Sequence, residues 1–224
     1  FNTRALIENK MKIIIASSQN AELWNAYVGA NELGTPYHKF EWMLSVEQAY
    51  QFRTIGWMAL NDDGQVLGIL PTVHMGWPVK KLSSLPYCDV GGVLAKSDEI
   101  KNKLISTALK YAESNHLSHF ENRESLTAEA ETDIMALPKV RMLLKMPETS
   151  SELLASFKSK LRSQINKAKK NGLTATVGKD QVHLDGFYQV YTRNMRDLGS
   201  PAHCKTWFES IVSNYGDDVI ISNV

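Results

Sequence analysis

Leu33-Gly34-Thr35-Pro36-Tyr37-His38 recurs later in the same chain as Leu198-Gly199-Ser200-Pro201-Ala202-His203. The echo continues at the same offset of 165 residues, pairing Trp42 with Trp207, Ser45 with Ser210 and Tyr50 with Tyr215. Over Leu33–Tyr50, seven of eighteen positions are identical, where ordinary composition gives about one. Glu32 with Asp197, Met43 with Phe208 and Val46 with Ile211 add conservative matches. A period this long is a duplicated domain, since solenoid units are several times shorter. Whatever this chain folds into, it must be built at least partly twice.

The flanks agree in type. Lys12–Ala16 reads as a strand and Asn20–Ala30 as a helix carrying Leu23, Trp24 and Tyr27 on one side. Their counterparts are a strand at Leu173–Val177 and a helix at Asp185–Met195 with Phe187, Tyr188 and Tyr191. An apolar run follows each copy, Thr54–Leu60 and then Val219–Ile221. Each repeat is therefore strand, helix, Gly-Pro turn, helix, strand. In the turn, proline sets the backbone and stops the preceding helix, while glycine takes conformations other residues avoid.

The first copy continues. Asn61-Asp62-Asp63-Gly64 joins Thr54–Leu60 to Gln65–His74 as a hairpin. A loop with Gly91-Gly92, a helix at Asp98–Asn115 and a strand near Leu117–Asn122 follow. The pattern predicts a mixed α/β (α+β) chain with a first domain over 11–138 and the start of a second over 139–224. By the repeat period, completing the second copy calls for roughly 100 further residues. Met11 reads as a start, which makes residues 1–10 an extension.

With 43% apolar and 22% charged residues the composition is that of a soluble globular protein. No run approaches the roughly 18 apolar residues that a membrane span needs, and Ile13-Ile14-Ile15 is too short for a signal peptide core. A cytoplasmic location follows, at most peripheral to an inner membrane. Cys88 and Cys204 form neither a disulfide framework nor a metal-ligand spacing, so free thiols and no metal are expected.

Three stretches resemble the FemAB family, in particular its FemAB-related members found with exosortase and exopolysaccharide systems. They are Ser84-Leu85-Pro86-Tyr87-Cys88-Asp89-Val90-Gly91-Gly92, Lys160-Leu161-Arg162-Ser163-Gln164-Ile165-Asn166-Lys167-Ala168, and Phe187-Tyr188 through Arg193-Asn194-Met195-Arg196-Asp197-Leu198-Gly199-Ser200-Pro201-Ala202-His203. Cys204 stands where a small polar residue is expected. The resemblance implies two GNAT-like (N-acyltransferase) domains in tandem, the second incomplete in this chain. It further implies transfer of an aminoacyl or acyl group, from aminoacyl-tRNA or acyl-CoA, onto a peptidoglycan or exopolysaccharide precursor. In the family, much of the donor site and a catalytic lysine region come from late in the second domain, so no catalytic residue is assigned here.

Ser151–Asn171 is the most charged segment, with Lys158, Lys160, Arg162, Lys167, Lys169 and Lys170 against Glu152 alone. That is a net of +5 in a chain whose total is +1, leaving −4 for the remainder. Leu153, Phe157, Leu161, Ile165 and Ala168 recur at helical spacing and predict one helix with a buried stripe, capped by Ser150 or Ser151 and ended by Gly172. Lys158, Arg162 and Lys169 fall together on its exposed side. This face, with Lys160 at its edge, reads either as a solvated surface or as a clamp for phosphate on a nucleotide-linked or lipid-linked acceptor, or on tRNA. The planar fork of Arg162 suits bidentate phosphate contact.

Arg193, Asn194, Arg196 and His203 surround the second turn as candidate substrate contacts. His203 has the chemistry of a proton carrier, yet its counterpart His38 argues for a structural duty. Arg196 with Asp197 is open to a plain ion pair, and Cys204 beside His203 lacks a third group for nucleophilic catalysis. In the glycine-bearing loop, Tyr87 and Asp89 are further candidates, Asp89 as acceptor of an amine proton or as a turn-former. Met58, Met75, Trp57 and Trp77 read as core and rim.

Acyl-CoA enzymes of the GNAT type usually hold pyrophosphate with a Gln/Arg-x-x-Gly-x-Gly/Ala turn, and no such run occurs, so no cofactor is expected to stay bound in this chain. The first copy then reads as a degenerate or acceptor-side domain. The alternatives are a nucleic-acid-binding module, weakened by a pI of 7.9 where about 9 is usual, and a non-catalytic partner-binding scaffold derived from the same fold. Unpaired strand edges in a partial domain also invite a homodimer.

Overall fold

A computed structural model describes residues 11–76, 79–124 and 142–224. Trp77, residues 1–10 and the expected boundary at 138/139 lie outside the described residues. The chain forms two compact units, one from the residues up to 124 with His203–Gly216, the other from 142–202 with 217–224.

The first unit is a mixed sheet with helices on both faces. Strands β1 (Lys12–Ala16), β2 (Arg53–Leu60), β3 (Val66–Met75) and β4 (Lys81–Ser83) pair antiparallel in that order. Strand β5 (Leu94–Ala95) also pairs with β3, and β6 (Phe120–Glu121) lies parallel to β4. The β2–β3 hairpin turns as its sequence predicts. Asn61 Oδ1 accepts from the Gln65 amide at 2.8 Å, Gly64 has φ +78°, and the register shifts between Ala59 and Leu60. Such a shift is how an extra turn residue is absorbed.

Alternation along β2 and β3 sorts the core into two layers. Met58, Ile69 and Val73 face a layer with Trp24 and Val28 of α1 (Ala21–Ala30) and Phe40, Trp42, Met43 and Val46 of α2 (Phe40–Tyr50). Ile55, Trp57, Ala59 and Leu70 face Leu104, Ala108 and Ala112 of α3 (Asp98–Ser114). Trp24 and Val28 carry the buried stripe of α1, while Leu23, expected beside Trp24, is 42% exposed. Met58 and Trp57 are core and Met75 is half-buried rim, as the composition of the hairpin implies.

The duplicated helix α7 (Lys205–Tyr215) packs on α2, its own counterpart. Ser45 Oγ donates to the Ser210 carbonyl at 3.3 Å and Ser210 Oγ returns a bond to the Ser45 carbonyl at 3.1 Å. Trp42 and Trp207 meet edge to face at 5.0 Å. Trp42 and Ser45 thus each touch their own copies, Trp207 and Ser210, across the α2–α7 contact.

In the second unit, β7 (Thr176–Gly178) pairs antiparallel with β8 (Ile221–Asn223) as β1 pairs with β2. Strand β7 starts three residues later than the sequence pattern suggests, and α6 extends over Gln181–Asp197. Asp180 caps α6 by accepting from the His183 amide at 3.0 Å, which explains the earlier start. The single helix expected over 151–171 is two, α4 (Ser150–Ser156) and α5 (Ser159–Lys170). Phe157 and Lys158 have ψ of 146° and 150°, both extended, so the backbone leaves the helix for two residues. Neither helix holds a fully buried residue and Leu161 is 41% exposed, so the expected buried stripe is at most half-buried. The cap is Thr149, in a box with Glu152, and Gly172 at φ +78° ends α5 with the paired bonds of a Schellman turn.

Candidate functional site

The loop after β4 carries the first part of the site. Its ends are fixed by backbone bonds to the β6 segment, Ser84 amide to Glu121 carbonyl at 2.8 Å and Gly91 amide to Arg123 carbonyl at 3.1 Å. Arg123 also donates to the Cys88 carbonyl at 3.0 Å and to Glu121 at 2.7 Å. Burial pushes the Glu121 carboxyl upward, but Lys81 and Arg123 outweigh it and hold its pKa below the ordinary value. Trp42 Nε1 reaches into the loop, donating to the Pro86 carbonyl at 3.2 Å.

So anchored, the loop holds Leu85 at φ +69° and Tyr87 at φ +67°. For side chains of this size each such conformation costs roughly 1–2 kcal/mol. Leu85 offsets that by full burial. Tyr87 is turned onto an aromatic group formed by Tyr50 at 4.7 Å, His203 at 4.8 Å and Trp207 at 5.6 Å between ring centroids. Tyr50 Oη lies 2.6 Å from His203 Nδ1.

Electrostatics in this group favour neutral forms. Burial lowers the pKa of His203 because the imidazolium loses hydration. Burial also raises Tyr87, with a smaller contribution from the neighbouring Cys204 thiol. Nearby Cys88 is pushed up to about 12, mainly by burial, so its thiol is inert at neutral pH. Cys204 is exposed at the cap position of α7, where it makes no side-chain capping bond. A serine or threonine hydroxyl would be the usual cap there. Among the described residues no cluster of three metal-ligating side chains exists.

Of the residues singled out from sequence, Tyr87 and His203 come together. Asp89 is exposed on the same loop. In the second unit, Lys160 and Arg162 are exposed on α5, and Arg193, Asn194 and Arg196 are exposed near the end of α6. Arg196 pairs with Asp197 at 3.1 Å, the local ion pair considered above. Arg162 donates to the Ala155 carbonyl at 3.2 Å, across the break between α4 and α5. A shallow cleft of about 560 Å³ runs beside it, lined by Ser159, Ser163, Asn166, Lys167, Lys170 and Asn171.

Sequence reasoning missed Tyr50 as a site residue, although its recurrence as Tyr215 was the available signal. It also missed the Lys81–Glu121–Arg123 prop, for which one sequence offers no signal. No helix among the described residues is long and apolar enough to cross a membrane.

Fold and duplication together define a mixed α/β chain built partly from two copies of one pattern. Among solved structures, its fold matches that of FemX, with a TM-score of 0.57 over 92% of this chain at 17% sequence identity. The chain spans 55% of the length of FemX. A ribosomal-protein-alanine N-acetyltransferase from Brucella melitensis biovar Abortus 2308 overlays 61% of this chain and 99% of its own, at 14% identity and a TM-score of 0.39. A GNAT-family acetyltransferase from Staphylococcus aureus Mu50 overlays 48% of this chain and 69% of its own, at 13% identity and a TM-score of 0.36. These two overlays are too loose to bear weight. No protein-family model matches the sequence, and no curated protein matches it.

Proposed function

We propose that this chain is part of an N-acyltransferase or aminoacyltransferase that forms an amide on a cell-envelope precursor of peptidoglycan or exopolysaccharide. The observation that carries the reading is the FemX fold over 92% of the chain, joined to the three FemAB-like stretches. In the reaction an acceptor amine attacks the carbonyl of a thioester or aminoacyl ester. The new C–N bond forms, the thiolate or alkoxide of acyl-CoA or tRNA departs, and the amine gives up a proton. No covalent enzyme intermediate is needed, because holding both partners in line and polarising the carbonyl lowers the barrier.

Within this scheme Tyr87 and His203 contact the acceptor, and Asp89 takes the amine proton. Arg162 and Lys160, with Arg193, Asn194 and Arg196, hold the phosphates of a nucleotide-linked or lipid-linked precursor. The enzyme works in the cytoplasm, at the inner membrane where the acceptor is lipid-linked.

Calorimetric titration with a nucleotide-linked envelope precursor tests the acceptor side. Arg162→Ala is expected to weaken binding about tenfold or more, the loss of a charge-assisted contact worth roughly 1.5–3 kcal/mol, without lowering the unfolding midpoint. Unchanged affinity would remove Arg162 from the role. Labelled acyl-CoA and aminoacyl-tRNA, each offered with the precursor, test the transfer itself. Amide from neither donor would count against the reading.

A further inference from the structure

We infer that Tyr50 is a positioning residue for His203: its hydroxyl donates to Nδ1 and holds the imidazole in the tautomer that carries its proton on Nε2. The 2.6 Å separation is short even for a hydroxyl donor. A phenol is a better acid than an imidazole N–H, and an unprotonated imidazole nitrogen is a better base than a phenol oxygen. The strong form of this bond therefore runs from Oη to Nδ1. Both rings are boxed. Tyr50 stacks on Phe52 at 6.0 Å and tilts against Tyr87 at 4.7 Å, while His203 stands edge-on to Tyr87 at 4.8 Å and to Phe208 at 6.5 Å.

The first copy supplies an internal reference. His38 Nδ1 accepts from the Thr35 amide at 3.2 Å, and an amide can only donate, so backbone fixes that tautomer. In the second copy the donor facing Nδ1 is a tyrosine from the opposite repeat. The converse reach exists too, since Tyr215 Oη donates to the Pro36 carbonyl at 2.6 Å. Each tyrosine thus crosses to the turn of the other copy, but only Tyr50 ends on an imidazole ring. With its proton on Nε2, His203 has a hydrogen-bond donor at that nitrogen and no resting base at Nδ1. The inference goes beyond the acyl-transfer reading and stands or falls without it.

Long-range proton–nitrogen correlation spectra of the 15N-histidine-labelled chain read the tautomer directly at pH about 8, well above the ordinary imidazole pKa. His203 is assigned by the signal missing from His203→Gln. The expected pattern is an unprotonated Nδ1 with a protonated Nε2. In Tyr50→Phe the two nitrogens of His203 should move toward one another as the tautomers exchange, with His38 unmoved. A protonated Nδ1 in the wild type overturns the inference, as does an unchanged His203 pattern in folded Tyr50→Phe. Should that variant fail to fold, 3-fluorotyrosine incorporation replaces it. The more acidic phenol should displace the Nδ1 resonance, and an unmoved resonance overturns the inference equally.

Discussion

The turns Leu33–His38 and Leu198–His203 share Leu, Gly, Pro and His at four of six positions, yet use them differently. His38 is 1% exposed, with Nδ1 at 2.8 Å from Thr35 Oγ1 of its own turn. His203 is half-buried, with Nδ1 at 2.6 Å from Tyr50 of the other repeat. The glycines diverge as well. Gly199 sits at φ +68° with open space around it, closing α6. Gly34 is a packing glycine, since a Cβ there would lie 2.1 Å from the Val28 carbonyl oxygen. The backbone also differs, since Pro36–His38 forms a 3-10 turn that Pro201–His203 does not, and His203 lacks the buried capping duty of His38. Equivalence between repeats is therefore a guide to fold and a poor guide to side-chain role.

The largest effect should come from what the copies still share. Trp42 and Trp207 are 8% and 3% exposed and pack on each other. Either one changed to alanine should cost about 3–5 kcal/mol in urea unfolding. The double variant should cost less than the sum, because the two rings are in contact. A loss below about 1 kcal/mol for Trp207→Ala would show that α7 is not part of the first unit's core.

The glycine contrast comes next. Gly34→Ala forces a methyl into backbone oxygens that cannot step aside and should cost about 3 kcal/mol. Gly199→Ala meets nothing within 4 Å and pays only the left-handed penalty, about 1 kcal/mol. Equal costs in thermal or urea unfolding would erase the distinction between the two turns.

Much of this organisation was legible because it repeats. Trp42, Ser45 and Tyr50 recur at the offset of 165, and the fold shows why: the first two touch their own copies, and the third crosses to the opposite turn. The hairpin at Asn61–Gly64 was equally plain, since side-chain capping and a positive φ are written in the local residues. The break at Phe157–Lys158 was not. An apolar stripe at helical spacing survives a two-residue interruption, and nothing in Phe157 or Lys158 forbids a helix. Of the candidate site, Tyr87 and His203 were found by resemblance. Tyr50 was overlooked because its partner lies 153 positions away, and periodicity reports only near neighbours. The Glu121 and Arg123 prop depends on a β4–β6 pairing that composition alone cannot place.

The smallest predicted effect isolates His203 by its titration. Burial holds its folded pKa below the ordinary value near 6.5, so the unfolded chain takes up the proton first as pH falls. The sign follows: this histidine's contribution is fully present above about pH 6.5 and is lost as pH drops through the lower folded value. His74 is lowered in the same direction, by burial and by Arg53, so acid weakens the wild type and His203→Gln alike. The difference between them is the readout. His203→Gln should lose less stability than the wild type between pH about 7.5 and 5.5 in urea unfolding. Parallel losses would mean that His203 titrates as an ordinary exposed imidazole, and the contrast with buried His38 would then rest on geometry alone.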